Sequence, residues 1–332
     1  MFTQQRLTFV AALLLAGLWA TAAPLSAGQT LTDDGLVSYY PVSRTSGPIA
    51  IDGQLDEFSW QLAEQVDSFE RILNDYDRVL HSTRAKMLWD DENFYFAFAC
   101  KDPDIWAIYT EEDDPMWSEE VVEIFIDPDG DAENYLELEV NPLNAVVDLL
   151  IYALKPDWHS SKDWDIAGLQ TAVQIQGTVN DSVNQDIGWS VEIAIPWAAM
   201  VDSVGGGGNP TVGDTWRLNL YRIERTAGRN ARSQIVELGK ELVPLQEDLA
   251  KLQEKIDTVS EEERSEKQER ELKKLQGKLK KLMDKMQKKR DEIGLTALQE
   301  YYHKQTEYTT FNETYQRGFH HPSRFGVVQF VE

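Results

Sequence analysis

Between residues 37 and 225 the chain is cut into short apolar stretches, each closed by a turn signal. That punctuation restricts the fold more than any other feature. Residues 84–89 alternate, with Ala85, Met87 and Trp89 on one face. Residues 94–100 are apolar on both faces and read as a central strand, and 121–126 repeat that character. Residues 135–140 place Leu136, Leu138 and Val140 inward and Glu137 and Glu139 outward. Further strand patterns cover 146–152, 171–176, 189–195, 216–223 and 327–331. Between them stand Asp-Asp-Glu-Asn (90–93), Asp-Pro-Asp-Gly-Asp (127–131), Asn-Pro-Leu-Asn (141–144) and a four-glycine run (205–208). Many short strands spaced in this way predict an all-β, antiparallel β-sandwich. Helical signals here are brief, near 58–65 and 197–201.

The pattern changes abruptly near Lys240. Leu242, Leu245, Leu249, Leu252, Ile256 and Val259 recur at heptad spacing, and so do Leu272, Leu275, Leu279, Leu282 and Met286. The two seams are mirror images: Val259 falls opposite Leu272, Ile256 opposite Leu275, Leu252 opposite Leu279 and Leu249 opposite Leu282. This predicts an antiparallel α-helical hairpin, a coiled coil inserted over residues 240–294, with its tip near 260–271. Arms of about 20 residues reach roughly 30 Å at 1.5 Å per residue. Gly294 is placed to end the second arm. The expected organisation is a signal peptide (1–27), the first part of the sandwich (28–239), the hairpin (240–294) and the last strand with a returning loop (295–332).

The signal peptide follows from Arg6, an apolar run over 7–20 and small residues at Ala22 and Ala27. It predicts a secreted or periplasmic protein, and no later stretch is apolar enough to span a membrane. Cys100 is the single cysteine, so no intrachain disulfide can form. Formal net charge is −25. Residues 241–293 carry 14 acidic and 14 basic side chains. The acidity therefore lies in the β-body, which argues against nucleic acid or an anionic membrane as partner. Neutral ligands and divalent cations remain open.

Eight motifs occur in order. They are Ile-Ala-Ile-Asp-Gly…Trp (49–60), Leu-Trp-Asp-Asp-Glu-Asn (88–93), Lys-Asp-Pro-Asp (101–104), Trp-Ser-Glu-Glu-Val-Val-Glu (117–123), Tyr-Leu-Glu-Leu-Glu-Val-Asn-Pro (135–142), Gly-Trp-Ser-Val-Glu (188–192), Gly-Asp-Thr-Trp-Arg (213–217) and Phe-His-His-Pro-Ser-Arg-Phe-Gly (319–326). Over residues 37–225 and 317–332 this series resembles the family 9 carbohydrate-binding modules. The hairpin lies outside the resemblance. The resemblance implies a sugar gripped between two aromatic rings. It places one on Trp117 and the other on Phe319, where the sugar-binding modules have Trp. It carries the family's polar contacts to Glu123 and Asn141, and puts Glu139 where those modules have Arg. It also implies non-catalytic sugar binding in support of carbohydrate catabolism.

The residue types suit that ligand on their own chemistry. A pyranose has an apolar C–H face that a ring such as Trp117 can cover. Carboxylates and amides such as Glu123 and Asn141 meet its hydroxyl rim. Glu123 lies in an apolar strand, where a charge is costly unless partnered, so an internal Arg (Arg217 or Arg222) competes with ligand contact as its role. Asp127, Asp129 and Asp131 pack three carboxylates into one turn, reminiscent of a structural calcium loop, and an acidic hairpin turn has the same composition. Trp60, Trp89, Trp189 and Trp216 fall in strand or helix patterns and read as core.

Three other functions compete. A glycoside hydrolase would need two carboxylates, and Glu119, Glu120 and Glu123 supply candidates. A haem-binding sandwich would draw on Met116, His159, His320 or His321. A scaffold would dock a protein partner or self-associate through residues 240–294.

Overall fold

The computed structural model describes residues 27–67, 69–73, 78–154, 159–161, 163–226, 229–257 and 266–332. Residues 1–26 of the expected signal peptide, Val259 and residues 260–265 of the hairpin tip lie outside the described residues.

Strands β1 (Gly28–Thr32) and β2 (Gly35–Arg44) open the chain, followed by helix α1 (Phe58–Leu62), β3 (Glu70–Arg71), β4 (Thr83–Trp89) and β5 (Asn93–Lys101). A second run comprises β6 (Val121–Asp127), β7 (Tyr135–Val140), β8 (Val146–Ala153), β9 (His159–Ser161), β10 (Gln170–Gln176) and β11 (Gly188–Pro196). Helix α2 (Trp197–Met200) and β12 (Thr215–Glu224) follow. Then come α3 (Arg229–Gly239), α4 (Val243–Asp257), α5 (Glu266–Glu292) and α6 (Leu295–Gln305), and finally β13 (Glu307–Thr310) and β14 (Gly326–Val331).

The strands are hydrogen-bonded in the order β10-β11-β5-β4-β2-β14-β12-β6-β7-β8-β9, and this ribbon curls over one core. Most pairings are antiparallel; β2 runs parallel to both β14 and β4, a departure from the all-antiparallel expectation. Met87, Phe96, Phe98, Val191 and Ile193 from one half meet Ile124, Leu136, Leu138, Leu218 and Leu220 from the other. The core ends in an aromatic knot, where Phe94, Trp197, Trp216 and Phe330 pack with centroids 5.2–6.2 Å apart. Trp60, Trp89, Trp189 and Trp216 are all buried, as their strand and helix patterns require.

The Asp-Gly motif is held from the sheet. Glu192 on β11 accepts from the backbone N–H of Asp52 and Gly53 and from Trp60 Nε1, the last at 2.7 Å. Gly53 sits at φ +83, and a Cβ there would lie 2.7 Å from the backbone of Gln174, so no other residue fits without rearrangement.

Strands β6, β7 and β12 are covered on both faces. Their outer face carries a second apolar cluster that includes Met116, Val121, Phe125, Tyr135, Leu149, Tyr221, Ile223, Phe319 and Phe325. Strict alternation predicted that Glu137 and Glu139 point outward. They do leave the main core, but into this second cluster, where both are buried.

The helices occupy the interval between β12 and β13, so two strands follow them. Helix α4 packs on α5, and α3 on α6. Leu245, Leu249, Leu252 and Ile256 on α4 are half-buried, as are Leu272, Leu275, Leu279, Leu282 and Met286 on α5, while most of their neighbours are exposed. Lys289 pairs with Glu241 at 2.8 Å near the root. Gly294 adopts the left-handed conformation at φ 73, and the chain then turns directly into α6. Among the described residues no helix is long and apolar enough to cross a membrane.

Candidate functional site

Register across β6 and β7 sets Glu123 directly opposite Glu139, with Glu137 next along the same face. Carboxylate oxygens of the three lie within 4.8 Å of one another, and the residues are between 1% and 5% exposed. Burial pushes the Glu123 carboxyl well above the usual carboxylate range, the nearby Glu137 adds to this, and Arg225 opposes it. Burial likewise pushes Glu137 up to about 8, while a hydrogen bond with Glu139 works in the other direction. Tyr135 Oη and His320 Nδ1 are 2.6 Å apart, and His320 Nε2 stands 3.7 Å from Glu137. Burial, with His321 nearby, pushes the His320 imidazole down to about 3, so it is neutral at pH 7.

These acids form the floor of a cavity of about 1290 Å³ whose rim includes Trp117 and Phe319. Trp117 stands in a single 3-10 turn (Met116–Ser118) anchored by the fully buried Met116. Its indole is 40% exposed. The Arg225 guanidinium holds the turn by donating to the carbonyls of Trp117 and Glu119, both at 3.1 Å, and to Thr306 Oγ1. Ser118 Oγ meets Tyr109 Oη at 2.9 Å.

Phe319 comes from the loop between β13 and β14. Asn219 on β12 clamps that loop, donating to the carbonyl of Asn312 and accepting from its N–H. The Phe319 ring stacks on Tyr221 at 4.1 Å and 7° between planes, and Tyr221 Oη donates to the Phe319 carbonyl. Phe319 is 8% exposed. One of its faces is thus taken by Tyr221, Tyr308 and Phe125 pack edge-on to the ring, and the residue borders the cavity.

Trp117, Phe319, Glu123 and Glu139 therefore border one space. Asn141 is placed otherwise. It is fully buried, donates to the Tyr109 carbonyl at 2.9 Å and accepts from Leu143 and Ala145, outside the cavity lining. Neither internal Arg expected beside Glu123 is there: Arg222 pairs with Asp102 at 3.1 Å, and Arg217 binds the carbonyls of Phe325 and Ser323. The cation acting on Glu123 is Arg225. Glu119 and Glu120 are buried away from the cavity lining. Of the residues considered for haem, Met116 is buried in the second cluster, His159 is exposed, and only His320 lines the cavity.

Asp127, Asp129 and Asp131 bring oxygens within 4.8 Å of one another at the β6–β7 turn. Asp127 accepts from Gly130 and Ala132, Asp129 from Asp131, and Asp131 from Glu133. Burial, partly offset by the Ala132 N–H and reinforced by the other two carboxylates, pushes Asp127 up to about 6.

Sequence reasoning did not assign Glu137 or Arg225 to the site, offered His320 only as a haem candidate, and missed the wall that α6 builds with Glu300, His303 and Lys304. Glu137 was within reach, since it shares a face with Glu139 two residues on. The α6 wall had no local signal, because those residues lie on the polar side of an ordinary surface pattern.

Comparison with known proteins follows the same lines. Over 91 residues the chain is 28% identical to endo-1,4-beta-xylanase A of Thermotoga neapolitana, covering 27% of this chain and 8% of that enzyme, less than a tenth of its length. A putative carbohydrate-binding protein from Bacteroides uniformis superposes with a TM-score of 0.52 at 12% identity, covering 88% of this chain and 98% of that one, a likeness of fold. A family 9 carbohydrate-binding module from Caldicellulosiruptor kristjanssonii, in complex with cellotriose, gives a TM-score of 0.38 at 20% identity over 56% of this chain and 76% of that one. Residues 51–238, more than half of the chain, match the family described as carbohydrate family 9 binding domain-like, and the chain belongs to that family.

Proposed function

We propose that this protein binds a carbohydrate without cleaving it, taking the sugar into the cavity between Trp117 and Phe319. The observation that carries this reading is that two rings from distant parts of the chain border one cavity with buried carboxylates at its floor. The exposed indole of Trp117 covers the apolar face of a pyranose, and Phe319, where it borders the cavity, offers an opposing apolar surface. Glu123 and Glu139 meet hydroxyls, which a carboxyl group can bond in either protonation state. Asn141 serves the site through the Tyr109–Ser118 contact beside Trp117.

In the same reading residues 1–27 direct export to the periplasm or beyond, and the protein supports carbohydrate catabolism. Asp127, Asp129 and Asp131 can take a structural calcium ion. The helical segment is an insertion in the sandwich, able to dock a partner or a second copy.

A panel of glucose, cello-oligosaccharides and xylo-oligosaccharides, extended to a broad glycan array, tests the reading with purified protein. Saturable binding without release of reducing sugar is expected. Reducing sugar released by the wild type and not by Glu123→Gln would instead mark a hydrolase, and absence of binding across the array would end the proposal.

A further inference from the structure

We propose that Glu123, Glu137 and Glu139 hold a divalent cation of the calcium class at the cavity floor. Their oxygens lie within 4.8 Å of one another, the span that a calcium ion bridges with oxygen ligands at roughly 2.3–2.6 Å. All three are more than nine-tenths buried. Glu123 Oε1 and Glu137 Oε2 are buried without a hydrogen bond, and both side chains border the cavity. Three clustered carboxylates removed from water need compensating charge. The Arg225 guanidinium is engaged with the carbonyls of Trp117 and Glu119 and with Thr306. An all-oxygen donor set favours calcium over the softer transition metals. The open side of the cluster leaves room for water or a ligand hydroxyl to complete the shell.

This site goes beyond the sugar reading and shares the cavity, Glu123 and Glu139 with it. Ion binding is measured with no saccharide present, so either proposal can fail alone. Chelator-stripped protein is titrated with Ca²⁺ by calorimetry and with Tb³⁺ by tryptophan-sensitised emission. A site at the cavity floor is expected in the wild type, lost in both Glu137→Gln and Glu139→Gln, and kept in Asp129→Asn, which removes only an ion held at the β6–β7 turn. Equal stoichiometry and affinity in the wild type and both Gln variants would overturn the proposal, as would loss confined to Asp129→Asn. Should the Gln variants fail to fold, Trp117→Phe supplies a second reading, because its ring borders the same cavity. Sensitised Tb³⁺ emission falls in that variant if the ion sits here, and unchanged emission sinks the assignment.

Discussion

The guanidinium of Arg225 donates to the main-chain carbonyl of Trp117 at 3.1 Å, so the exposed ring stands on a turn held from beneath. Arg225 also lies over the rings of Tyr302 and Tyr308, at 4.9 and 5.8 Å from their centroids. One buried cation therefore ties the Trp117 turn, the end of α6 and β13 together. Arg225→Met should cost about 2–4 kcal/mol of stability, since three acceptors lose their donor. Trp117→Ala should remove glycan binding while stability stays within about 1 kcal/mol, because the ring is exposed. Urea unfolding beside calorimetric sugar titration separates the two effects. A large stability loss in Trp117→Ala would identify the indole as core.

Phe319 is both cavity wall and core. Stacked on Tyr221 and 8% exposed, it should cost about 3 kcal/mol when truncated to Ala, through lost burial and the cavity left behind. Chemical unfolding measures this. A loss under about 1 kcal/mol would mean that the loop carrying it repacks freely.

His81 sets a pH dependence. Burial alone would lower its pKa, but hydrogen bonds with Glu224 at 2.8 Å and Glu307 at 3.2 Å outweigh that and hold it at about 9. The folded protein thus keeps a proton that the unfolded chain releases above about 6.5. This contribution is fully present below about pH 6.5 and is lost as pH rises through 9, on the order of 3 kcal/mol. Glu137 acts in the same sense, its folded form holding a proton up to about 8. The difference between the wild type and His81→Gln isolates the histidine. Thermal midpoints between pH 6 and 9.5 should fall for the wild type and fall less for the variant. Parallel curves would refute the assignment.

Because α3 packs on α6, the chain enters and leaves the α4–α5 pair at neighbouring points. Replacing residues 243–292 with a short Gly-Ser link should therefore leave cooperative unfolding and glycan binding in place, since α6 and its cavity wall remain. An unfolded product, seen by circular dichroism, would show that the long helices are part of the sandwich's own stability.

Much of the architecture was legible in the chain because burial imposes periodicity. Leu136, Leu138 and Val140 alternate with Glu137 and Glu139 since a strand presents opposite faces in turn. The leucines near 245–286 repeat at heptad spacing since two helices must share a seam. The family resemblance, rather than local pattern, singled out Trp117, whose turn follows Asp-Asp-Pro.

Tertiary structure decided what lies beyond each face. Alternation put Glu137 and Glu139 away from the main core, but only the loop carrying Phe319, with helix α6, turned that outward face into a buried cavity. Arg225 could not be paired with Trp117 from spacing, because β12 and the Trp117 turn meet only through the fold. Local sequence sets which side of a strand a residue occupies, through the two-residue repeat of the backbone. Whether that side meets solvent or a ligand depends on segments more than a hundred residues away, and no local periodicity encodes their arrival.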